Sequence, residues 1–177
     1  LVSCEHGDRR IAEMPLNHPE QKKTLAHTFE GKQLNSPNDL VQKKSGDYYF
    51  TDPPYGLPGR GKPEPAKELD RQGVYRINTK GEISLQVKDL GRPNGLAFNP
   101  DESILYVGTS ERPTLITAYP VDKAGNLGEG KLFFDAAELA KQGIRGGYDG
   151  MKLDKQGNIW TTGPGGILII SPAGKLL

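Results

Sequence analysis

Asn38, Asn94 and Asp149 each open a segment of one repeated pattern: a polar residue, a short apolar run, a turn rich in Gly, Asp or Pro, and a second apolar or aromatic run. The copies read Asn-Asp-Leu-Val-Gln-Lys-Lys-Ser-Gly-Asp-Tyr-Tyr-Phe-Thr-Asp over 38–52, Asn-Gly-Leu-Ala-Phe-Asn-Pro-Asp-Glu-Ser-Ile-Leu-Tyr-Val-Gly over 94–108, and Asp-Gly-Met-Lys-Leu-Asp-Lys-Gln-Gly-Asn-Ile-Trp-Thr-Thr over 149–162. Steps of 56 and 55 residues (94 − 38 and 149 − 94) make the period regular. A fixed spacing of this size marks a repeat architecture, and strand–turn–strand copies read as propeller blades. Successive blades would carry amide, amide and carboxylate to equivalent places around one central axis. Amide and carboxylate oxygens are the donors that hard divalent cations take, and a set with few carboxylates leaves coordination positions open. Taken singly, each of the three has a plainer reading as a turn residue bonding its own backbone; their recurrence at matching positions favours function.

The elements that must hold these residues follow from the same punctuation. Strands are expected at 1–5, 10–16 and 23–29, then at 39–42, 48–52, 73–77 and 84–90, with Lys80-Gly81 as a turn. A further group falls at 96–99, 104–108, 115–120 and 131–135, followed by a helical turn at 136–142, and a last group at 151–154, 159–162 and 167–171. This divides the chain into the end of one blade (1–33), two blades (34–91 and 92–146) and a partial blade (147–177). About three and a half blades is fewer than a propeller needs, since closure takes about 4 to 8. The expectation is an all-β fragment of a larger propeller, the remainder of which lies outside this chain. A closed four-blade product and an open β array are the rivals. The Pro/Gly-rich stretch 53–65 reads as a functional loop or lid.

Composition agrees with a turn-rich β protein: 177 residues, 34% hydrophobic, with 23 glycines and 14 prolines. The 23 basic and 22 acidic residues interleave to a net charge of +1, without the basic stripe that nucleic-acid binding requires. No apolar run reaches the roughly 20 residues of a membrane helix. A lone cysteine, Cys4, forms no internal disulfide and so leaves a cytoplasmic or a periplasmic compartment open. Neither an initiator Met nor a leader-like segment stands at Leu1, so the start reads as mid-protein sequence.

Five motifs carry a family resemblance: Leu-Asn-Ser-Pro-Asn-Asp-Leu at 34–40, Tyr-Phe-Thr-Asp-Pro-Pro-Tyr-Gly at 49–56, Arg-Pro-Asn-Gly-Leu-Ala at 92–97, Asp-Gly-Met at 149–151 and Gly-Pro-Gly-Gly at 163–166. In this order and at blade spacing they resemble the senescence-marker-protein/gluconolactonase family (SMP-30/gluconolactonase/LRE-like). The resemblance implies a six-bladed β-propeller that hydrolyses sugar lactones or related esters with one divalent metal in its tunnel. Calcium is the first expectation for that ion; Mg²⁺, Mn²⁺ and Zn²⁺ also fit oxygen donors. Asn94 matches the family's metal-binding asparagine and Asp149 its metal-binding aspartate, while the family's glutamate ligand would lie upstream of Leu1. Asn38 matches an asparagine that holds substrate or a water on the metal. Ser36, the second substrate-binding candidate beside Asn38, stands where some animal members place a sugar-contacting arginine, which points to a bacterial-type relative with a different acyl or sugar preference.

Asp149 is the residue expected to act twice, as ligand and as the general base that takes a proton from the attacking water. Asp52, at the end of a strand, and His6, in Glu-His-Gly, are further tunnel candidates. Asp39 reads as a structural hydrogen-bond partner, and Tyr49, Tyr106 and Trp160 as packing between blades. His6, His18 and His27 lack the spacing of a zinc site. No Gly-x-Ser-x-Gly elbow suggests a covalent intermediate. The partner implied is a small lactone or ester. A phosphotriesterase-like hydrolase and a non-catalytic binding scaffold remain alternatives, because fold does not dictate function.

Overall fold

Sixteen short strands and almost no helix make up the residues described by the computed structural model, 1–57, 67–88 and 90–177. They fall into two compact units, Leu1–Leu90 and Gly91–Leu177. In each unit an antiparallel four-stranded meander packs against a three-stranded sheet, the sheets of an all-β propeller.

The first unit begins with β1 (Val2–Glu5), β2 (Arg10–Glu13) and β3 (Lys23–Ala26), paired in that order. Between β2 and β3 lies a 3-10 turn, Pro19–Gln21, which the sequence reading did not anticipate. The hairpin of β4 (Thr28–Phe29) and β5 (Lys32–Gln33) is also new. Its turn residues Glu30 and Gly31 both take positive φ, 51° and 75°, the backbone of a two-residue turn that matches strand twist. Then β6 (Leu40–Gln42), β7 (Tyr48–Thr51), β8 (Gly73–Ile77) and β9 (Ile83–Lys88) form the meander. Asp47, at the foot of β7, accepts from Arg76 of β8 at 2.7 Å and from the Thr79 amide at 3.1 Å. Both carboxylate oxygens are thus used, as a buried charge requires.

Ile11, Ala26, Leu34, Phe50, Leu69, Tyr75 and Ile77 form the core of this unit. Tyr75 stacks on Phe50 at 5.5 Å and meets Phe29 edge-on at 5.2 Å. Each such aromatic pair adds about 0.5–1.5 kcal/mol beyond area burial. Of the loop at 53–65, residues 53–57 are described; the remainder, on which the lid expectation falls, lies outside the described residues.

The second unit repeats the plan with β10 (Pro93–Phe98), β11 (Ile104–Thr109), β12 (Leu115–Pro120) and β13 (Lys131–Asp135) as the meander. The helical turn α1 (Ala137–Lys141) leads to β14 (Met151–Leu153), β15 (Ile159–Gly163) and β16 (Gly166–Ile170). Every residue of β10 is buried whereas β13 is largely open, an innermost-to-outermost gradient. The core between the two sheets is built by Ala97, Tyr106, Ile116, Tyr148, Met151, Ile159 and Ile170, among others. The Gly-Pro-Gly-Gly segment at 163–166 makes the turn between β15 and β16. Tyr49 and Tyr106 are core residues as expected, but Trp160 is 45% exposed. It alternates with buried Ile159 and Thr161, so the pleat turns it to the other face of β15, where its indole N–H donates to Asp154 at 3.0 Å.

Candidate functional site

Asn94 and Asp149 are brought together by their backbones. The Gly95 N–H donates to the Asp149 carbonyl at 3.0 Å, joining β10 to the residue two positions before β14. A side chain on residue 95 would strike that carbonyl and come within 2.8 Å of the Met151 nitrogen. Only glycine permits two innermost strands to approach this closely.

The amide of Asn94 has a fixed polarity. Its Nδ2 lies 3.3 Å from Ser110 Oγ, and Ser110 spends its one proton on the Tyr148 carbonyl at 2.5 Å. The atom that Asn94 turns to Ser110 must therefore be a donor, which aims Oδ1 the opposite way. Asn94 is 7% exposed, so this orientation is held by packing as well. Asp149 is exposed, and its own N–H is held by Thr162 Oγ1 at 2.8 Å. Among the described residues no group of three His, Cys, Asp or Glu side chains gathers. An exposed carboxylate and an amide oxygen, on segments joined by that backbone bond, fit an oxygen-seeking divalent ion in kind and do not fit a thiolate- or imidazole-preferring one.

The first unit assembles a second group of polar residues around the segment 34–38. Asn38 donates its backbone N–H to the Thr51 carbonyl at 2.9 Å, and its Oδ1 lies 3.1 Å from His6 Nε2. Both residues are half-buried. Ser36 is fully buried: its hydroxyl donates to the Pro53 carbonyl at 2.7 Å and accepts from the Gly56 N–H at 2.8 Å. The expectation of a substrate contact at Ser36 meets, in the structure, a hydroxyl engaged in holding the 53–56 turn. Asp39 receives the neighbouring Leu40 N–H at 2.9 Å and donates its own N–H to Thr51 Oγ1, a structural pairing as expected.

Asp52 is completely buried and accepts the Asn35 N–H at 2.8 Å. Burial pushes its pKa up to about 7, against the backbone N–H groups of Asn35 and Ser36 and the charges of Arg9 and Lys67, which pull it down. Among the described residues, its Oδ1 and the Oδ1 of Asn35 have no hydrogen-bond partner. The half-buried thiol of Cys4 is pushed far above its ordinary range, chiefly by desolvation and further by Asp39 and Asp52.

Sequence reasoning missed the residues that orient this machinery. Arg9 sits at φ 53° in the β1–β2 turn and donates to the carbonyls of Leu34 at 2.6 Å and Asn35 at 2.9 Å, tying that turn to the 34–38 segment. Ser110 plays the corresponding part for Asn94. A signal was available: Thr51, Ser110 and Thr162 are hydroxyl residues standing at or just beyond the second strand of each copy, 13, 16 and 13 residues after the opening polar residue (51 − 38, 110 − 94 and 162 − 149).

Comparison with known proteins agrees with this architecture. The family model described as the SMP-30/Gluconolactonase/LRE-like region matches residues 1–177. A gluconolactonase of Zymomonas mobilis is 43% identical over 159 residues, 89% of this chain and 44% of its own. A lactonohydrolase of Aspergillus oryzae is 33% identical over 84 residues, 47% of this chain and 19% of its own. The solved structure of a Xanthomonas campestris gluconolactonase superposes with a TM-score of 0.85 at 36% identity, covering 99% of this chain and 56% of that one. The chain thus spans about half the length of the gluconolactonases it matches. With the repeat motifs, an antiparallel meander in each unit and a match along its whole length all in accord, this chain belongs to the SMP-30/gluconolactonase/LRE-like family.

Proposed function

We propose that the protein is a metal-dependent hydrolase of sugar lactones or related esters, acting as its gluconolactonase relatives are named to act. The observation that supports the reading is the Gly95 N–H to Asp149 carbonyl bond, which ties the backbone next to Asn94 to that of the exposed Asp149. Asn94 Oδ1 and the Asp149 carboxylate would hold the ion, calcium by their hardness, with Mg²⁺, Mn²⁺ or Zn²⁺ as substitutes. When bound, such a cation polarises a carbonyl and acidifies water at neutral pH. Asp149, open to solvent, accepts the proton that the attacking water releases and returns it to the leaving ring oxygen. Asn38 binds and orients an oxygen of the lactone; Ser36 acts beneath it by holding the 53–56 turn. In this reading the four segments 1–33, 34–91, 92–146 and 147–177 serve as successive blades.

The test is an assay of the intact protein on a panel of aldonolactones and a phosphotriester, with and without chelator. Lactone hydrolysis is expected to disappear with chelator, to return with added calcium, and to fall by roughly 10²–10⁴-fold in Asp149→Ala, the range for a general base. Lactonase activity that survives both treatments would overturn the reading. Preference for the phosphotriester would assign the site to the alternative hydrolase class, and activity on neither would leave a binding scaffold.

A further inference from the structure

Two cavities meet in the second unit. One, of about 320 Å³, is walled by Pro113, Ala136, Ala137, Ala140, Ile144 and Pro164 and is also lined by Arg112. The other, of about 390 Å³, shares Arg112, Ala140 and Ile144 with the first and adds Gly143 and Arg145. Both fall in the size range of small-molecule pockets, about 300–1,000 Å³. The first is chiefly apolar. The second carries two guanidinium groups and, among the described residues, no acid. Nearby charges are already engaged: Lys141 pairs with Glu138 at 2.6 Å, and Asp135 accepts the Ala137 N–H at 2.8 Å. Among the described residues no hydrogen bond or ion pair occupies the guanidinium of Arg112 or Arg145.

The cavity walls continue into the segments that hold Asn94 and Asp149. Arg112 follows Ser110, the partner of the Asn94 amide, by two residues; Gly146 precedes Asp149 by three; Pro164 follows Thr162, whose hydroxyl holds the Asp149 N–H, by two. These segments are tied together. The Gly165 N–H donates to the Arg145 carbonyl at 3.2 Å, Ser110 donates to the Tyr148 carbonyl at 2.5 Å, and a side chain on Gly146 would lie 2.6 Å from the Gly163 carbonyl oxygen.

We propose that the two cavities form one subsite for an acidic arm of the substrate: a short aliphatic chain fills the apolar cavity, and the carboxylate or phosphate at its end is bound by Arg112 and Arg145. The inference rests on the lactone-hydrolase reading and deepens it by naming the substrate class, a lactone with an anionic side arm. Guanidinium forks match the paired oxygens of either acidic group. An apolar wall rewards burial of methylenes and penalises unpaired hydroxyls, so the arm is aliphatic rather than polyhydroxylated.

The experiment uses the intact protein in two independent arms. In the first, calorimetric titration reads the binding of butanoate, propyl phosphate, acetate and butan-1-ol. Butanoate is expected to bind about tenfold more tightly than acetate, as two further buried methylenes imply, and both longer anions about tenfold more tightly than the alcohol, the worth of a charged hydrogen bond. The tighter of the two anions names the acidic group. Arg112→Gln is expected to weaken that anion about tenfold and leave the alcohol unaffected; Ala137→Leu, which fills the apolar cavity, weakens both. Equal binding of alcohol and anions, or anion binding unchanged in Arg112→Gln, would overturn the proposal. If Ala137→Leu fails to fold, the comparison of anion with alcohol in the parent and in Arg112→Gln still decides it. In the second arm, kcat/KM is compared for a lactone with an acid-terminated arm and the same ring with a methyl-terminated one. The acidic lactone is expected to be favoured about tenfold, and the preference to disappear in Arg112→Gln. No preference in a parent that hydrolyses both would overturn the proposal. A parent without lactonase activity would sink the hydrolase reading, and the binding arm would then judge the subsite by itself.

Discussion

A fully buried carboxyl group whose Oδ1 has no partner among the described residues, next to an amide whose Oδ1 also has none there, is an arrangement that a proton improves. Asp52 holds the N–H of Asn35, so it is part of the frame under Asn38, yet its charge is costly there. Its pKa is raised from 3.8 to about 7, chiefly by burial. The folded state therefore binds one more proton than the unfolded chain between those two values, and stability falls as pH rises through that window. Asp52→Asn has no such proton to lose. Its stability relative to the parent is expected to improve from pH 4 to pH 8 by an amount on the order of 2–4 kcal/mol, at about 1.4 kcal/mol per unit of pKa shift. Urea unfolding of both proteins across that range reads the difference, and parallel profiles would remove Asp52 as the titrating group. Asp149 offers the contrast of a carboxylate open to solvent.

At the scale of elements, the contact of the β10 and β14 backbones is what converts two turn residues into neighbours. Gly95→Ala puts a methyl group against the Asp149 carbonyl and the Met151 nitrogen, neither of which can swing aside as a side-chain tip would. The expected result is a loss of about 1–3 kcal/mol of stability, the usual cost of overpacking, together with loss of metal binding. Gly81→Ala, at a turn with open space but φ 81°, should cost about 1 kcal/mol and leave metal binding intact. Chemical denaturation with calcium titration separates the two variants, and a Gly95→Ala protein that binds calcium normally would show that the close approach is not needed. The strands themselves were legible wherever turn residues bounded an apolar run, as at β8, β12 and β13, which begin and end where expected. The β4–β5 hairpin was not, because its turn is Glu-Gly rather than Asn-Gly and its strands have two residues each. The face of Trp160 was misread because only the pleat of β15 decides it. Asn38, Asn94 and Asp149 stood out by period alone, whereas Arg9 did not, since its work depends on tertiary neighbours that spacing does not reveal.

For the molecule as a whole, a near-neutral charge balance gives no long-range field to gather a charged partner, and among the described residues no helix is long and apolar enough to cross a membrane. What the repeats do supply is a set of donors far apart in sequence and adjacent only after folding: Asn94 and Asp149 are separated by 55 residues (149 − 94). An ion held by such a set binds the folded protein and not the unfolded chain, so its binding free energy becomes folding free energy. At free calcium a hundredfold above Kd, stabilisation of the intact protein is expected to reach about 2.7 kcal/mol, visible as an upward shift in Tm that chelator reverses. Asn94→Ala, which removes an amide oxygen from the proposed donor set, should abolish the calcium-dependent shift, and Asn38→Ala, which lies outside that set, should preserve it. Thermal melts of the three proteins with and without calcium decide the matter: a shift lost in Asn38→Ala but kept in Asn94→Ala would reverse the assignment of cation-holding and substrate-holding roles between the two residues.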